Sequence, residues 1–100
     1  MSFFMLHPKE VEKIRCEMQA ILVDVREREY YLQYHCKNAM NIPYSEEERW
    51  LNQFCERRIY ILYCEHGNIS LLAARRLAKR GVTAYTVIGG ISAWREYMSM

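Results

Sequence analysis

Apolar residues along this chain follow two habits. Residues 20–25, 59–63 and 83–88 are nearly unbroken runs of Ile, Leu, Val, Tyr and Thr, types that suit strands. Between the runs, apolar side chains return every three or four positions, the period of one helix face. Unbroken runs belong to strands buried on both sides, so the alternation predicts an α/β domain with a parallel sheet covered by helices on both faces.

The remaining segments fill in around these. Phe3 to Leu6 is a short strand, and Pro8 suits the first turn of a helix reaching about Gln19, with Val11, Ile14 and Met18 on one face and Cys16 turned away. Residues 29–34 read as a short helix and residues 39–43 as a short strand closed by Pro43. Ser45 is the expected N-cap over Glu46, Glu47 and Glu48, opening a helix whose stripe of Trp50, Leu51, Phe54 and Cys55 puts Cys55 in the core. A helix from Ser70 to Arg80 carries Ala73, Ala74, Leu77 and Ala78 on one face and Arg75, Arg76, Lys79 and Arg80 on the other, until Gly81 ends it. Gly89 and Gly90 turn the chain into a closing helix with Ile91, Trp94 and Met98 on one face.

One hundred residues, 51% of them hydrophobic, fit a single domain spanning residues 1–100. A formal charge of +2 and arginines at helix spacing without interleaved aromatics exclude nucleic acid as the main partner. The apolar runs fall short of the roughly 20 residues a membrane span needs. The N-terminus lacks the charged start and cleavage site of a secretory signal, so a cytoplasmic protein is expected. Cys16, Cys36, Cys55 and Cys64 are widely spaced and form no C-x-x-C pair, which argues for free thiols over a disulfide framework or a metal site.

Chemistry concentrates at Cys64. A strand stops there, a short polar loop containing Gly67 follows, and Ser70 opens a helix. Amides at a helix start lack intrahelical partners and carry partial positive charge, so a thiol held before them should lose its proton more readily than a free cysteine. Gly67 can adopt positive φ and let the loop curl its N–H groups inward. In parallel sheets ligands bind beyond the carboxyl ends of the strands, where Cys64 falls. A buried structural cysteine is the competing reading. Asp24 and Arg26 are expected to pair and fix the turn after their strand. His35 reads as a hydrogen-bonded structural histidine, and Gly89 and Gly90, which lack G-x-G-x-x-G spacing, as close packing beside the Cys64 loop.

Taken in order, Leu22-Val23-Asp24-Val25-Arg26-Glu27, then Tyr31, His35, Ala39, Asn41-Ile42-Pro43, the run from Tyr63 to Ser70, Ala73-Ala74, Leu77, Gly81 and Gly89-Gly90-Ile91-Ser92-Ala93-Trp94 resemble the rhodanese family of single-domain sulfurtransferases. The resemblance implies a five-stranded parallel sheet between helices and a catalytic Cys64 that carries sulfur as a persulfide. The Cys64-x-His66-Gly67-Asn68-x-Ser70 pattern is closest to small bacterial enzymes that use thiosulfate in vitro. It implies ping-pong transfer from thiosulfate or a protein persulfide to cyanide or a thiol, with no metal or organic cofactor. The N–H groups of Glu65, His66, Gly67, Asn68, Ile69 and Ser70 would hold the persulfide, with the Ser70 hydroxyl as a further donor.

Two positions depart from the family. Ile69 stands where many members have arginine, and Glu65 adds negative charge beside the nucleophile. Both predict weak thiosulfate affinity and point to a protein persulfide or polysulfide as donor. The phosphatases and arsenate reductases that share the fold need a longer loop with an arginine, which is absent here. A non-catalytic interaction module is the alternative, and Cys36, next to His35, is a candidate to resolve the Cys64 persulfide or accept its sulfur.

Overall fold

The structure is a computed structural model that describes residues 3–45 and 47–99. In chain order the elements are β1 (Phe4–Leu6), a 3-10 turn (Pro8–Glu10) running into α1 (Val11–Glu17), β2 (Ile21–Asp24), α2 (Arg28–Gln33), β3 (Met40–Asn41), α3 (Glu48–Leu51), β4 (Ile59–Tyr63), α4 (Asn68–Lys79), β5 (Thr83–Val87) and α5 (Gly90–Met98). The strands form one sheet in the order β1-β5-β4-β2-β3, and every pairing is parallel. This is the five-stranded α/β architecture expected of the sequence. β4, the most continuously apolar strand, lies at the centre, where both faces must be covered.

Side chains alternate across the sheet and divide the core in two. Val23, Tyr60, Leu62 and Ala84 point to one face, where they meet Trp50 and Leu51 of α3 and Ala73, Ala74 and Leu77 of α4. Leu22, Ile61, Tyr63 and Val87 point to the other, against Val11 of α1 and Ile91 of α5. Cys64, the residue after β4, continues the alternation onto the α3 and α4 side, while Cys36 is packed on the α1 and α5 side. Parallel strands all end at the same edge, so Asp24, Tyr63 and Thr86 are brought side by side there, in the register Asp24 opposite Tyr63 and Leu62 opposite Thr86.

Several boundaries differ from the sequence reading, each for a local reason. The helix after Pro8 stops at Glu17, and Met18 is exposed as its C-cap while Val11 is buried. Positive φ at Gln19 (51°) turns the chain into β2 before another helical turn can form. Glu47, not Ser45, is the N-cap of α3, and its side chain makes no capping bond; Glu46 lies outside the described residues. α3 is a single turn, followed by tighter three-residue bonds from Gln53 N–H to the Trp50 carbonyl and from Phe54 N–H to the Leu51 carbonyl. Trp50, Leu51 and Phe54 are buried as expected, but the tighter winding rotates Cys55 out, so it is exposed and not part of the core. Met98 is likewise exposed at the end of α5. Among the described residues no helix is long and apolar enough to cross a membrane.

Leu62, at the middle of β4, is fully buried. Replacing it with alanine is expected to lower unfolding free energy by about 3 kcal/mol in a urea titration; a loss under about 1 kcal/mol would contradict the packing described.

Candidate active site

β4 delivers Cys64 to the sheet edge, and four residues later α4 has begun. Helix α4 opens at Asn68, two residues before the expected Ser70, because Gly67 takes positive φ (101°) as its N-cap and directs the next residues into helical geometry. Asn68, Ile69 and Ser70 therefore form the first turn, where amides have no intrahelical partner. Two amides converge on the sulfur: Gly67 N–H donates to Cys64 Sγ at 3.1 Å and Ser70 N–H at 3.2 Å. Of the six amides expected around the sulfur, only these two reach Sγ itself. The Ser70 hydroxyl oxygen lies 3.5 Å from Sγ and 2.7 Å from Thr86 Oγ1, within hydrogen-bonding reach of that hydroxyl. Two N–H donors at the start of a twelve-residue helix favour negative charge on the atom they surround.

α5 fixes the loop from behind. Ile91 N–H donates to the Cys64 carbonyl at 2.9 Å and Ser92 N–H to the Glu65 carbonyl at 3.1 Å, so the first amides of α5 are satisfied by the loop's own backbone. That approach is possible only at glycine. A Cβ on Gly90 would lie 2.4 Å from the Cys64 carbonyl oxygen and 2.6 Å from that of Glu65, and one on Gly67 would lie 3.0 Å from Gly89 N. Gly89, the N-cap of α5, has positive φ (78°) and no space beside Ala93 Cβ.

An ion-pair network braces the other side. Asp24, fully buried, accepts from Arg26 N–H at 2.9 Å and from the Arg26 guanidinium at 2.8 Å. Arg26 also donates to Glu65 Oε1 at 3.1 Å and to the Tyr34 carbonyl. Burial opposes the guanidinium's charge, but bonds and attraction from Asp24, and then the bond to Glu65, outweigh it and raise its pKa. Glu65 further accepts from the Ser92 hydroxyl at 3.2 Å. The extra charge that Glu65 brings beside Cys64 is thus bound to a cation, not loose. Asn41 Nδ2 donates to the Asp24 and Arg26 carbonyls and holds the turn between them. His66 is exposed, with Nδ1 at 3.2 Å from the Ser92 hydroxyl. His35 is stacked on Tyr31 at 3.8 Å, bonds the Tyr31 carbonyl, and does not line the cleft.

In front of the sulfur lies a cleft of about 540 Å³. Its walls are Val25, Arg26, Glu27, Tyr30 and Tyr44 on one side and Glu65, Asn68 and Ile69 on the other, with Cys64 among the lining residues. Cys64 is only 3% exposed: it packs with the core on the α3 and α4 side of the sheet and at the same time forms part of the cleft's lining. Among the described residues no group of His, Cys, Asp or Glu is arranged to hold a metal ion. Cys36 does not join the site. It sits on the opposite face of the sheet, its amide bonded to the Tyr63 hydroxyl, and burial pushes its thiol up to about 12. The idea that Cys36 receives sulfur from Cys64 is corrected by this placement.

The wall residues Val25, Glu27, Tyr30 and Tyr44, and the supporting Thr86 and Ser92, were not assigned to the site from sequence, although Val25, Glu27 and Ser92 lie within the motifs that carry the family resemblance. Thr86 carried a usable signal, a hydroxyl near the end of a strand otherwise apolar enough to be buried on both faces. The tyrosines carried none, because their role depends on where loops return.

A family model described as a rhodanese-like domain matches residues 7–97. The chain is 36% identical over 87 residues to an adenylyltransferase and sulfurtransferase of Ogataea parapolymorpha, covering 84% of this chain and 22% of that protein. It is 35% identical over 66 residues to a tRNA sulfurtransferase of Thermoplasma acidophilum, covering 66% of this chain and 13% of that protein. Among solved structures, a rhodanese-related protein from Thermoplasma volcanium superposes with a TM-score of 0.82 at 28% identity, covering 94% of this chain and 92% of that one. The chain spans less than a quarter of either of these two curated relatives.

Gly90→Ala is expected to lower the melting temperature by roughly 10 °C, since backbone and not a flexible side chain fills the space; an unchanged melting curve would contradict the close approach. Alkylation of Cys36 is expected to be slow at pH 8 and to climb about tenfold per pH unit toward pH 11 without levelling, because the thiolate reacts and this thiol titrates at about 12. A plateau below pH 10 in peptide mapping would contradict the burial of Cys36.

Proposed function

The chain belongs to the rhodanese-like domain family, and from that premise we propose that it transfers sulfur through a persulfide on Cys64. The observation that carries this reading is the convergence of Gly67 and Ser70 N–H on Sγ at the floor of an open cleft. Relatives named as sulfurtransferases support the reaction class.

In the first half-reaction the Cys64 thiolate attacks the outer sulfur of the donor. With thiosulfate, the bond between its two sulfurs breaks and sulfite departs with the electron pair. The persulfide's terminal sulfur is then an anion one bond beyond Sγ, held by the amides of residues 65–70, with Gly67 and Ser70 fixing the inner sulfur. In the second half-reaction a thiolate or cyanide attacks that terminal sulfur, and the electron pair of the broken bond returns to Cys64. The two halves share one site, so ping-pong kinetics follow. The steps as written need no metal or organic cofactor. A reducing cytoplasm suits the reaction, since its cysteines must stay reduced.

The cleft disfavours thiosulfate as the working donor. Ile69 contributes a side chain without charge to the wall, and the guanidinium of Arg26 is already engaged by Asp24 and Glu65. Arg80, the C-cap of α4, is bound to Glu48. Among the described residues a dianion therefore finds no open cation in the wall, and a protein persulfide or polysulfide is the better donor.

Treatment with polysulfide or thiosulfate is expected to add the mass of one sulfur atom to Cys64 and nothing at that position in Cys64→Ser. Absence of the adduct with every donor would favour a non-catalytic interaction module. Ile69→Arg is expected to lower the thiosulfate KM about fivefold by placing a cation near the anion; an unchanged KM would defeat the charge argument.

A further inference from the structure

The charges lining the cleft are unbalanced. Among the described residues Arg26 is the one cation lining it, and it faces Asp24 and Glu65 in direct ion pairs. Glu27 stands on the same wall with no such partner. It is the N-cap of α2: its carbonyl accepts from the Tyr30 and Tyr31 amides, but its side chain makes no capping bond and no hydrogen bond or ion pair among the described residues. The nearby cation Arg76 is outside the lining and bonds the Tyr44 hydroxyl and the Ser45 carbonyl. The remaining walls are apolar and aromatic: Val25, Tyr30, Tyr44 and Ile69. A cleft with surplus carboxylate and tyrosine rings suits a cation and repels an anion.

We propose that Glu27, supported by Glu65, selects a positively charged thiol as the acceptor of sulfur from Cys64. This inference rests on the persulfide reading given above. The acceptor enters as its thiolate, having lost its proton to solvent, with its cationic group toward Glu27. Its sulfur attacks the terminal persulfide sulfur, the bond to Sγ breaks, and the electron pair remains on Cys64 as thiolate. The acceptor departs as a persulfide. Glu27 touches the acceptor's charge and takes no proton.

Three small thiols that share an ethylene spacer test this: cysteamine (cationic), 2-mercaptoethanol (neutral) and 3-mercaptopropionate (anionic). The protein is loaded with inorganic polysulfide, the Cys64 adduct is verified by mass, and sulfur transfer to each thiol is timed. Intrinsic thiol reactivity cancels in the ratio of variant to parent for each acceptor. Glu27→Lys is expected to slow cysteamine about fivefold, to speed 3-mercaptopropionate by a similar factor and to leave 2-mercaptoethanol within about twofold. Glu27→Gln, which removes one charge without reversing it, is expected to give the same order at a smaller size. A lysine-flanked cysteine peptide beside cysteamine shows whether the favoured form is protein-borne or free, whichever has the larger parent rate constant. Equal changes for all three thiols, or none, would overturn the selection while leaving sulfur transfer intact. Failure of polysulfide to load Cys64 at all would overturn both.

Discussion

Everything at this sheet edge depends on two peptide N–H groups meeting one sulfur. Gly67 and Ser70 can both donate to Cys64 Sγ only if β4 ends one residue before the cysteine and α4 begins within four residues after it. The positive φ of Gly67 is what lets so short a connection reverse from strand to helix. The same turn leaves the first amides of α4 without carbonyl partners, and the sulfur takes their place. Strand length, glycine and helix start are thus one constraint.

Such a loop has little internal bonding, and its neighbours hold it instead. The first amides of α5 donate to the carbonyls of Cys64 and Glu65 across a gap that only Gly90 leaves open. On the other flank, Asp24 and Arg26 form an ion pair whose hydrogen bonds extend to backbone and to Glu65, which is the condition under which buried charges are tolerated. Arg26 therefore joins the end of β2 to the loop after β4. The network that braces the loop also occupies the cleft's one cation, so rigidity and an acidic cleft arise from the same bonds.

The layered fold was legible because burial on both faces leaves long apolar runs, and β4 was bounded correctly for that reason. Cys64, Gly67, Gly89 and Gly90 stood out because a glycine or thiol at a strand end has few ordinary explanations. What sequence could not carry was geometry that depends on distant chain. Cys55 looked apolar by helical spacing, but α3 is one turn long and the following tight turns expose it. Cys36 and Cys64 are each well buried, yet the alternation of strands and loops puts them on opposite faces of the sheet. Glu65 read as a lone charge until Arg26, thirty-nine residues earlier, was seen to bind it. Tyr30, Tyr44 and Glu27 meet at one cleft only because α2 and the loop after β3 both return to the sheet's carboxyl edge.

The central claim is that the amides of residues 65–70 bind the charge on the terminal sulfur when Cys64 holds transferred sulfur, while Gly67 and Ser70 hold the inner sulfur. Nitrogen-15 and proton NMR of the reduced and the polysulfide-loaded protein measures this at the loop amides themselves. At least one amide proton among Glu65, His66, Asn68 and Ile69 is expected to move downfield on loading, as it gains a charged acceptor, while the Asn41 side-chain amide stays in place. Loading confirmed by mass with the amide resonances of residues 65–70 all unmoved would contradict it.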